Sequence, residues 1–344
     1  MLSITRREFF LKTGTALLAA VVKPSLLLAS EIQHVQPDRF SYLPGLGYQN
    51  MLFEEPKWAE ADRGLDFSKV KIYRGDEHVD TVAILKVNPS NYTLKVASGY
   101  SREHLEMHTV EEWQQMTGAT AVINAAQYMG DDMYGCPVAP MRVEGRRLGP
   151  RVNRHVSGII LAQPIVKGLP EISFLDAEYD AQYFGLKRVA CKPGKQGECR
   201  AVDAEALPKA EQYWKNYKNM IQHWGILLDR EGKIRIGSSD WQANRTVTAM
   251  GNDSNFYIFN TEGGFFTLHN FGRFLRDANA KKYLDIRTAM NMDGGYEADL
   301  VVRAPRLEYM SYGRFETYGP KNDASWPEGT KIKIPNVVCV VPKK

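Results

Sequence analysis

The 344-residue chain has little of what marks several common protein classes. Lys and Arg exceed Asp and Glu by only 44 to 40, and no Lys/Arg stripe interleaved with aromatic residues occurs, so we expect no nucleic-acid partner. The chain has no P-loop, no dinucleotide-binding fingerprint and no Gly-x-Ser-x-Gly elbow, which excludes the usual nucleotide-binding and serine-hydrolase classes. It does have a hydrophobic share of 44%, enough to build a substantial core.

The first 30 residues have the pattern of an export signal. Arg6 and Arg7 precede a mildly apolar run over residues 13–22, and small residues follow near Ala29. The start, Thr-Arg-Arg-x-Phe, resembles a twin-arginine signal. An uncleaved membrane anchor is the alternative, but the run is shorter than the ~20 apolar residues that span a bilayer. We therefore predict a cleaved signal peptide at residues 1–30, recognition by the twin-arginine export machinery, and a mature protein in the periplasm or outside the cell with no stable membrane span.

Cysteine is scarce, and its four positions allow three disulfide pairings. Cys191 and Cys199 bracket the turn-rich loop KPGKQGE, which a disulfide could close in an exported protein. A zinc site is the alternative, but no Cys-x-x-Cys pair is present and no histidine lies close to a cysteine in sequence. Cys191–Cys199 is therefore the candidate disulfide, and we predict no metal site.

Short β-rich runs dominate the chain from residue 69 onward. Runs such as KVKIYRG and YTLKVASG are separated by turn residues, as in antiparallel sheets. Two segments have a helical pattern: HTVEEWQQMTG, in which Thr109 and Glu112 have the spacing of a capping box, and TLHNFGRFLRDANA, with Thr267 as its cap. The sequence therefore predicts an α+β fold, a mostly antiparallel sheet with few helices.

Two regions interrupt this pattern. Residues 31–68 are rich in Pro, Gly and aromatic residues without a clear period, which predicts an irregular N-terminal arm. Residues 176–218 are charged and turn-rich, which predicts a surface insertion. We expect a single domain over residues 69–344 that carries this insertion.

The candidate for chemistry is the Asp-Gly-Gly motif at residues 293–295, directly after a predicted strand. Asp293, Glu297 and Asp299 place three acids within seven residues. Glycines beside a carboxylate let a ligand approach the backbone closely. An Asp-Gly pair is also a frequent turn, so a purely structural turn is the alternative.

A second segment has the same order of features as the one that ends in Asp293. In both, a Thr-capped helix leads to a strand, and the strand ends in a polar residue followed by two small ones: Asn124 in the first segment and Asp293 in the second. If the two strands are neighbours, Asn124 and Asp293 lie side by side. A similarity this weak between two segments can also arise by chance.

Three motifs carry a resemblance to a known family. INAAQYM, ANRTVTAMGND and TAMNMDGGYEADL, in this order, resemble the phosphodiester glycosidase family, over roughly residues 80–303 without the charged insertion. The family pattern has a strand that ends in Asn, an Arg before a small residue, and Asp-Gly-Gly at a strand end. Asn124, Arg245 and Asp293 occupy these places, and the stretch around Gln222 is similar too.

The resemblance implies a hydrolase that cleaves the glycosidic C–O bond of a sugar 1-phosphodiester in an envelope or extracellular polysaccharide. It implies that Asp293 acts as base or nucleophile, that Asn124 orients sugar or water, and that Arg245 binds the phosphate. The other residues assigned to substrate binding are Thr246, Gln222, Gly294, Gly295 and Glu297. A phosphate monoester is a good leaving group, since its second pKa is about 6, so less acid catalysis is needed than for an ordinary glycoside. No cofactor is implied, and a divalent cation at the acidic cluster stays open.

The chain departs from the family pattern at two places. Ala-Ala-Gln-Tyr follows Asn124 where members often have Gly-Phe-Phe, and Tyr296-Glu297-Ala298 replaces a stretch of small residues. The departures imply a different sugar or leaving group. Two alternatives stay open: a polysaccharide-binding protein of the same fold that does not cleave, and a phosphodiesterase that cleaves the P–O bond.

Overall fold

The computed structural model describes residues 32–40, 48, 50–101, 104–128, 135–149, 158–176, 213–223, 225–317, 323–325, 327 and 330–343. Residues 32–344 form one compact unit. The predicted signal peptide, Cys191, Cys199 and most of the predicted insertion lie outside the described residues. Within these ranges, no helix combines the length and the apolar character needed to cross a membrane.

The described elements, in chain order, are β1 (Gln33–Val35), β2 (Met51–Phe53), β3 (Ala59–Asp62), β4 (Leu65–Arg74), β5 (Glu77–Val87), β6 (Tyr92–Ser98), α1 (Val110–Thr117), β7 (Ala121–Asn124), β8 (Met141–Val143), β9 (Arg146–Leu148), β10 (Gly158–Pro164), β11 (Ile172–Asp176), β12 (Tyr217–His223), β13 (Ile226–Leu228), β14 (Arg245–Gly251), β15 (Phe256–Thr261), α2 (Leu268–Ala280), β16 (Ile286–Gly294), a 3-10 turn (Gly295–Glu297), β17 (Leu300–Ala304), β18 (Leu307–Ser311), β19 (Phe315–Thr317), β20 (Asp323–Ser325) and β21 (Asn336–Pro342).

These strands form three large sheets and one small one. The first large sheet has six strands in the order β1-β18-β17-β7-β21-β6, and the second has five in the order β11-β10-β12-β8-β9. The third has eight strands, β13-β16-β14-β15-β5-β4-β2 with β3 paired to β4, and β19 pairs with β20. Among the described pairings, β1 beside β18 is parallel and the rest are antiparallel. The predicted fold class, a mostly antiparallel α+β domain, is confirmed.

The three large sheets share one hydrophobic core. It contains Leu85 from β5, Ile123 from β7, Ile221 from β12 and Met290 from β16, all buried. Apolar residues on one face of each strand supply this core, because neighbouring residues of a strand point to opposite faces. The packing brings the ends of strands from different sheets together.

Both predicted helices form with the predicted caps. The Thr109 side chain accepts a hydrogen bond from the Glu112 amide while the Glu112 side chain accepts one from the Thr109 amide, and α1 ends at Gly118 in the left-handed conformation. Helix α2 begins after Thr267, whose hydroxyl accepts from the third helical amide. Its apolar face, which includes Phe271, packs on the eight-stranded sheet.

The N-terminal arm is more regular than predicted. Strands β1, β2 and β3 and the start of β4 lie within residues 31–68 and pair with the sheets. Strands of three or four residues are too short to show the alternation by which a strand is read from sequence.

The predicted insertion boundary at residue 218 falls inside β12. This strand is central in the five-stranded sheet, between β10 and β8. Its polar residues Asn219 and Gln222 are buried, so β12 lacks the alternation of polar and apolar residues that marks a half-buried strand.

Two of the four cysteines are described. Cys136 and Cys339 are buried free thiols. Burial raises the pKa of Cys339 to about 11, so this residue remains a thiol at neutral pH. The Cys191–Cys199 disulfide stays a prediction.

Candidate active site

The candidate site forms where β7 of the six-stranded sheet meets β16 of the eight-stranded sheet. Asn124, the last residue of β7, is buried, and its Nδ2 donates to the carbonyl oxygen of Asp293 over 2.6 Å. The Asp293 amide donates to the carbonyl oxygen of Ala125 over 3.3 Å. The two strand ends are therefore neighbours, as the similar order of features in the two segments suggested. Asn124 contacts the backbone of Asp293. Asn124 Oδ1 is buried and has no hydrogen-bond partner.

Asp293 and Glu297 form a pair of partly buried carboxyl groups. Burial, followed by the nearby charge of Glu297, raises the pKa of Asp293 well above its ordinary value. Burial also raises the pKa of Glu297, and the charge of Glu316 adds to that effect. Two carboxyl groups in such surroundings do not both ionise readily, so we expect the pair to keep one proton to a higher pH than isolated carboxyl groups do.

Each of these carboxyl groups has a partner in the segment after Asn124. The Gln127 side chain hydrogen-bonds Asp293, which partly offsets the rise in its pKa. The Tyr128 hydroxyl donates to Glu297 Oε1 over 3.1 Å. Gln127 and Tyr128 belong to the stretch in which the chain departs from the family pattern. Sequence reasoning gave them no individual role.

His223, at the end of β12, joins the same group of elements. Its Nδ1 lies 2.6 Å from the carbonyl oxygen of Asn291, and its Nε2 lies 3.2 Å from the amide of Gln127. A carbonyl oxygen only accepts and an amide only donates, so Nδ1 carries the proton and Nε2 is the acceptor. The neutral imidazole therefore connects β16 to the segment that holds Gln127. Sequence reasoning missed His223 because no local motif contains it.

Arg245 lies opposite Gly294 on the neighbouring strand β14. It is buried, its Nε donates to the carbonyl oxygen of Phe266 over 3.1 Å, and its Nη2 donates to that of Trp241 over 2.5 Å. Burial lowers the pKa of Arg245 to about 10, with Glu316 acting in the opposite sense, so the guanidinium stays charged at neutral pH. A Cβ on Gly294 would lie 3.3 Å from Nη1, which shows how closely this nitrogen approaches the glycine.

Gly295 meets a third carboxyl group. Its φ is +69°, and an added Cβ would collide with the Glu316 carboxylate. Its amide donates to the carbonyl oxygen of Asn244 over 2.9 Å. Glu316, on β19, was not among the predicted residues, because it lies 23 residues beyond Asp293 in a different strand.

Thr246 stabilises a segment next to the site through a hydrogen bond with Asn260. It is buried, and its hydroxyl accepts from Asn260 Nδ2 over 3.2 Å. The same amide nitrogen donates to the carbonyl oxygen of Ala298 over 2.9 Å. Thr246 thus helps to hold the segment that follows the Asp-Gly-Gly motif.

Asp299, the third acid of the motif, is fully buried and its Oδ1 accepts from the Gly313 amide over 2.9 Å. Its Oδ2 has no hydrogen-bond partner, and burial raises its pKa well above the ordinary value. Asp299 therefore favours the protonated form.

Gln222 lies on the other face of the five-stranded sheet. It pairs with Ile159, and directly opposed residues of antiparallel strands point to the same face. Ile159 belongs to an outer cluster of apolar residues. The structure therefore brings His223, and not the predicted Gln222, to the group around Asp293.

Among the described residues, no group of three or more His, Cys, Asp and Glu side chains has an arrangement that could hold a metal ion.

The chain is similar to a family model over part of its length and to solved structures. The phosphodiester glycosidase family model matches residues 185–341, a range that includes Arg245, the Asp-Gly-Gly motif and Glu316 and excludes Asn124. The catalytic domain of zebrafish N-acetylglucosamine-1-phosphodiester alpha-N-acetylglucosaminidase, auto-inhibited by its pro-peptide, has a similar fold with a TM-score of 0.52 and 12% identity, over 86% of this chain and 89% of that chain.

Two further solved structures are similar at lower scores. A protein from Synechocystis has a TM-score of 0.47 and 12% identity, over 84% of this chain and 64% of that one. A protein from Burkholderia pseudomallei K96243 has a TM-score of 0.49 and 10% identity, over 89% of this chain and 100% of that one. No curated protein matches the chain. The family match supports a glycosidase-type hydrolase at the level of the family. The resemblance inferred from the sequence motifs is confirmed: residues 185–341 match the phosphodiester glycosidase family.

Proposed function

We propose that the protein is an exported glycosidase that hydrolyses a sugar 1-phosphodiester in an envelope or extracellular polysaccharide. The observation that carries the proposal is the convergence of Asp293, Glu297 and Arg245 at one end of β16. Carboxyl groups with raised pKa values can transfer protons near neutral pH. A fixed guanidinium next to them suits a phosphate group.

Arg245 is the residue assigned to the phosphate. Its Nε and Nη2 each donate to a backbone carbonyl, which fixes the plane of the guanidinium. Nη1, next to Gly294, is the atom that we assign to a phosphate oxygen. Because Gly294 has no side chain, the phosphate can approach this nitrogen and the neighbouring amides.

The two carboxyl groups have different roles in the proposed reaction. The ionised carboxylate, assigned to Asp293, either attacks the anomeric carbon or removes a proton from the attacking water. The C–O bond to phosphate breaks, and its electron pair leaves with the phosphate monoester, whose second pKa of about 6 makes it a good leaving group. Glu297 holds the proton that the pair shares. Gln127, which hydrogen-bonds Asp293, orients the attacking carboxylate.

Asn124 is assigned to the sugar or to the attacking water. Its Nδ2 is held by the Asp293 carbonyl, whereas its Oδ1 has no partner in the protein. A buried carbonyl oxygen without a hydrogen bond is costly, so a hydroxyl group of the substrate or a water that donates to Oδ1 would relieve this cost.

Hydrolysis in 18O-labelled water tests the proposal. The purified mature protein is incubated with sugar 1-phosphodiesters, and the products are analysed by mass spectrometry. We expect the label in the sugar, since the glycosidic C–O bond is cleaved. A label in the phosphate would establish a phosphodiesterase instead, and binding without turnover of any substrate would establish a binding protein.

A further inference from the structure

The five-stranded sheet carries a cavity on the face that bears Gln222. Its volume is about 250 Å³, and its lining residues within the described part of the chain are Arg142, Arg147, Trp214, Lys215 and Met220. Three of the five are cations and none is acidic. Met220 and Trp214 belong to the outer apolar cluster, whereas His223 of the same strand contacts Asn291 of β16. The cavity is therefore separate from the candidate active site.

The hairpin β8–β9 places two arginines side by side. Glu144 and Gly145 connect the strands with φ values of 46° and 87°, as in the two-residue turns typical of tight hairpins. This turn sets the register in which Arg142 lies directly opposite Arg147. An anion bound between the two side chains would accept hydrogen bonds from both.

Two buried donors in the cavity lining have no partner. Arg142 Nε and Trp214 Nε1 are inaccessible to solvent and make no hydrogen bond, and Trp214 is only 5% exposed. No described acidic residue forms an ion pair with Arg142 or Lys215. Burial lowers the pKa of Arg142, and no carboxylate among the described residues acts against this effect. Buried N–H groups are normally paired, so the cavity has the chemistry of a site that receives its acceptor from a ligand.

We propose that this cavity binds a phosphate group carried on a small organic molecule, such as a sugar phosphate. A phosphate monoester carries about 1.5 to 2 negative charges and three acceptor oxygens, which matches three cations and an indole N–H better than a singly charged carboxylate does. Arginine pairs bind phosphate through parallel N–H donors. Met220 offers an apolar surface to the organic part. The volume is slightly below the ~300–1,000 Å³ of typical ligand pockets, so the site fits one small unit.

Calorimetric titration tests the proposal on the purified mature protein at constant ionic strength. The ligands are glucose 6-phosphate, inorganic phosphate and acetate. We expect saturable binding of both phosphates, several-fold tighter for the sugar phosphate, and none of acetate. Inorganic phosphate that binds as tightly as the sugar phosphate would overturn the organic part of the proposal, and the absence of phosphate binding would overturn it altogether.

Three variants locate the binding site. Arg142→Gln removes one cation and should weaken glucose 6-phosphate binding at least tenfold, and Trp214→Phe removes only the indole N–H and should weaken it several-fold. Arg146→Gln is the matched control, because Arg146 lies on the same hairpin, is exposed and does not line the cavity. Unchanged affinity in both Arg142→Gln and Trp214→Phe, or an equal loss in Arg146→Gln, would overturn the proposal.

Melting temperature separates ligand binding from a structural role. Without phosphate, Arg142→Gln should melt no lower than the wild type, since it removes an unpaired buried donor. With phosphate, the wild type should melt higher, as expected for a ligand that binds the folded state, and Arg142→Gln should lose this increase. A lower melting temperature of Arg142→Gln without phosphate, with the increase retained, would show that Arg142 is structural.

Discussion

At the scale of single residues, the surroundings of Asp293 decide what its carboxyl group can do. The group is partly buried, accepts from the Gly294 amide over 3.0 Å and lies near the charges of Glu297 and Glu316. These charges favour the protonated form, whereas the hydrogen bonds from Gly294 and Gln127 favour the ionised form. A carboxyl group with these opposing influences can both hold and release a proton, as a catalytic acid or base must.

Asp293→Asn tests this role. The amide keeps the shape and the hydrogen bond from Gly294 but cannot ionise, so we expect turnover of a sugar 1-phosphodiester to fall by a factor on the order of a hundred or more. Asp285→Asn, just before the other end of β16, is the matched control and should keep its activity. Full activity in Asp293→Asn would refute the catalytic role.

The same variant has a second consequence, for stability as a function of pH. Because the pKa of Asp293 is higher in the folded state than in the unfolded chain, its contribution to folding is complete below the ordinary pKa of about 3.9 and is lost as pH rises through the folded-state pKa. Asn has no proton to lose. We therefore expect Asp293→Asn to be more stable than the wild type at neutral pH, with a smaller difference at pH values near 4.

Urea unfolding at several pH values between about 4 and 8 measures this difference. An Asp293→Asn variant that is less stable than the wild type at neutral pH would contradict burial as the main cause of the raised pKa.

Arg245 combines a binding role with a structural one. Arg245→Lys keeps the charge, but one ammonium nitrogen cannot replace the planar guanidinium that donates to both Phe266 and Trp241. We expect a loss of about 1–3 kcal/mol in the free energy of unfolding, the usual cost of leaving a buried group unpaired. We also expect weaker binding of phosphate-bearing substrates. Arg287→Lys, at an exposed position of β16, is the control. Unchanged stability together with unchanged KM would refute both roles.

At the scale of elements, the end of β16 contains two glycines that differ in backbone conformation and in the space around the Cβ position. Gly294 has an extended backbone with φ −131°, whereas Gly295 has a positive φ and its missing Cβ makes room for Glu316. The strand end thus lies between β19, which carries Glu316, and the segment formed by Asn244 and the first residue of β14, Arg245.

Alanine at each glycine tests this difference. Gly295→Ala should lower the free energy of unfolding by at least about 1–2 kcal/mol, the cost of left-handed backbone for a residue with a side chain. Gly294→Ala should cost less, because its backbone suits any residue and its closest contacts would be 3.1 and 3.3 Å. Urea unfolding measures both. The opposite ranking would show that contacts at position 294 outweigh the backbone conformation of Gly295.

At the scale of the whole molecule, the proposed function in the envelope requires that the protein is exported. The pair Arg6–Arg7 stands before a weakly apolar run, and we expect that the twin-arginine route depends on this pair. Replacing both arginines by Lys should leave the precursor in the cytoplasm, which cell fractionation and immunoblotting detect. The single variant Arg287→Lys serves as the control. Normal appearance of the mature form of the double variant in the envelope would refute the twin-arginine assignment.

By itself the sequence determined the local structure of this protein and the places where chemistry was to be sought. The caps of α1 and α2 follow from Thr109, Glu112 and Thr267, because a cap involves residues only three apart. The Asp-Gly-Gly motif could be found for a similar reason, since it lies at the end of an apolar run that indicates a strand.

Only the tertiary structure decided which of these residues meet. Asn124 and Asp293 are 169 residues apart and come together because their strands lie in different sheets that share one core. His223 reaches the site and Gln222 does not, because successive residues of β12 point to opposite faces. Glu316 joins through another strand. Short-range signals specify caps and strands within a few residues, whereas the composition of a site depends on strand register and sheet packing, to which the whole chain contributes.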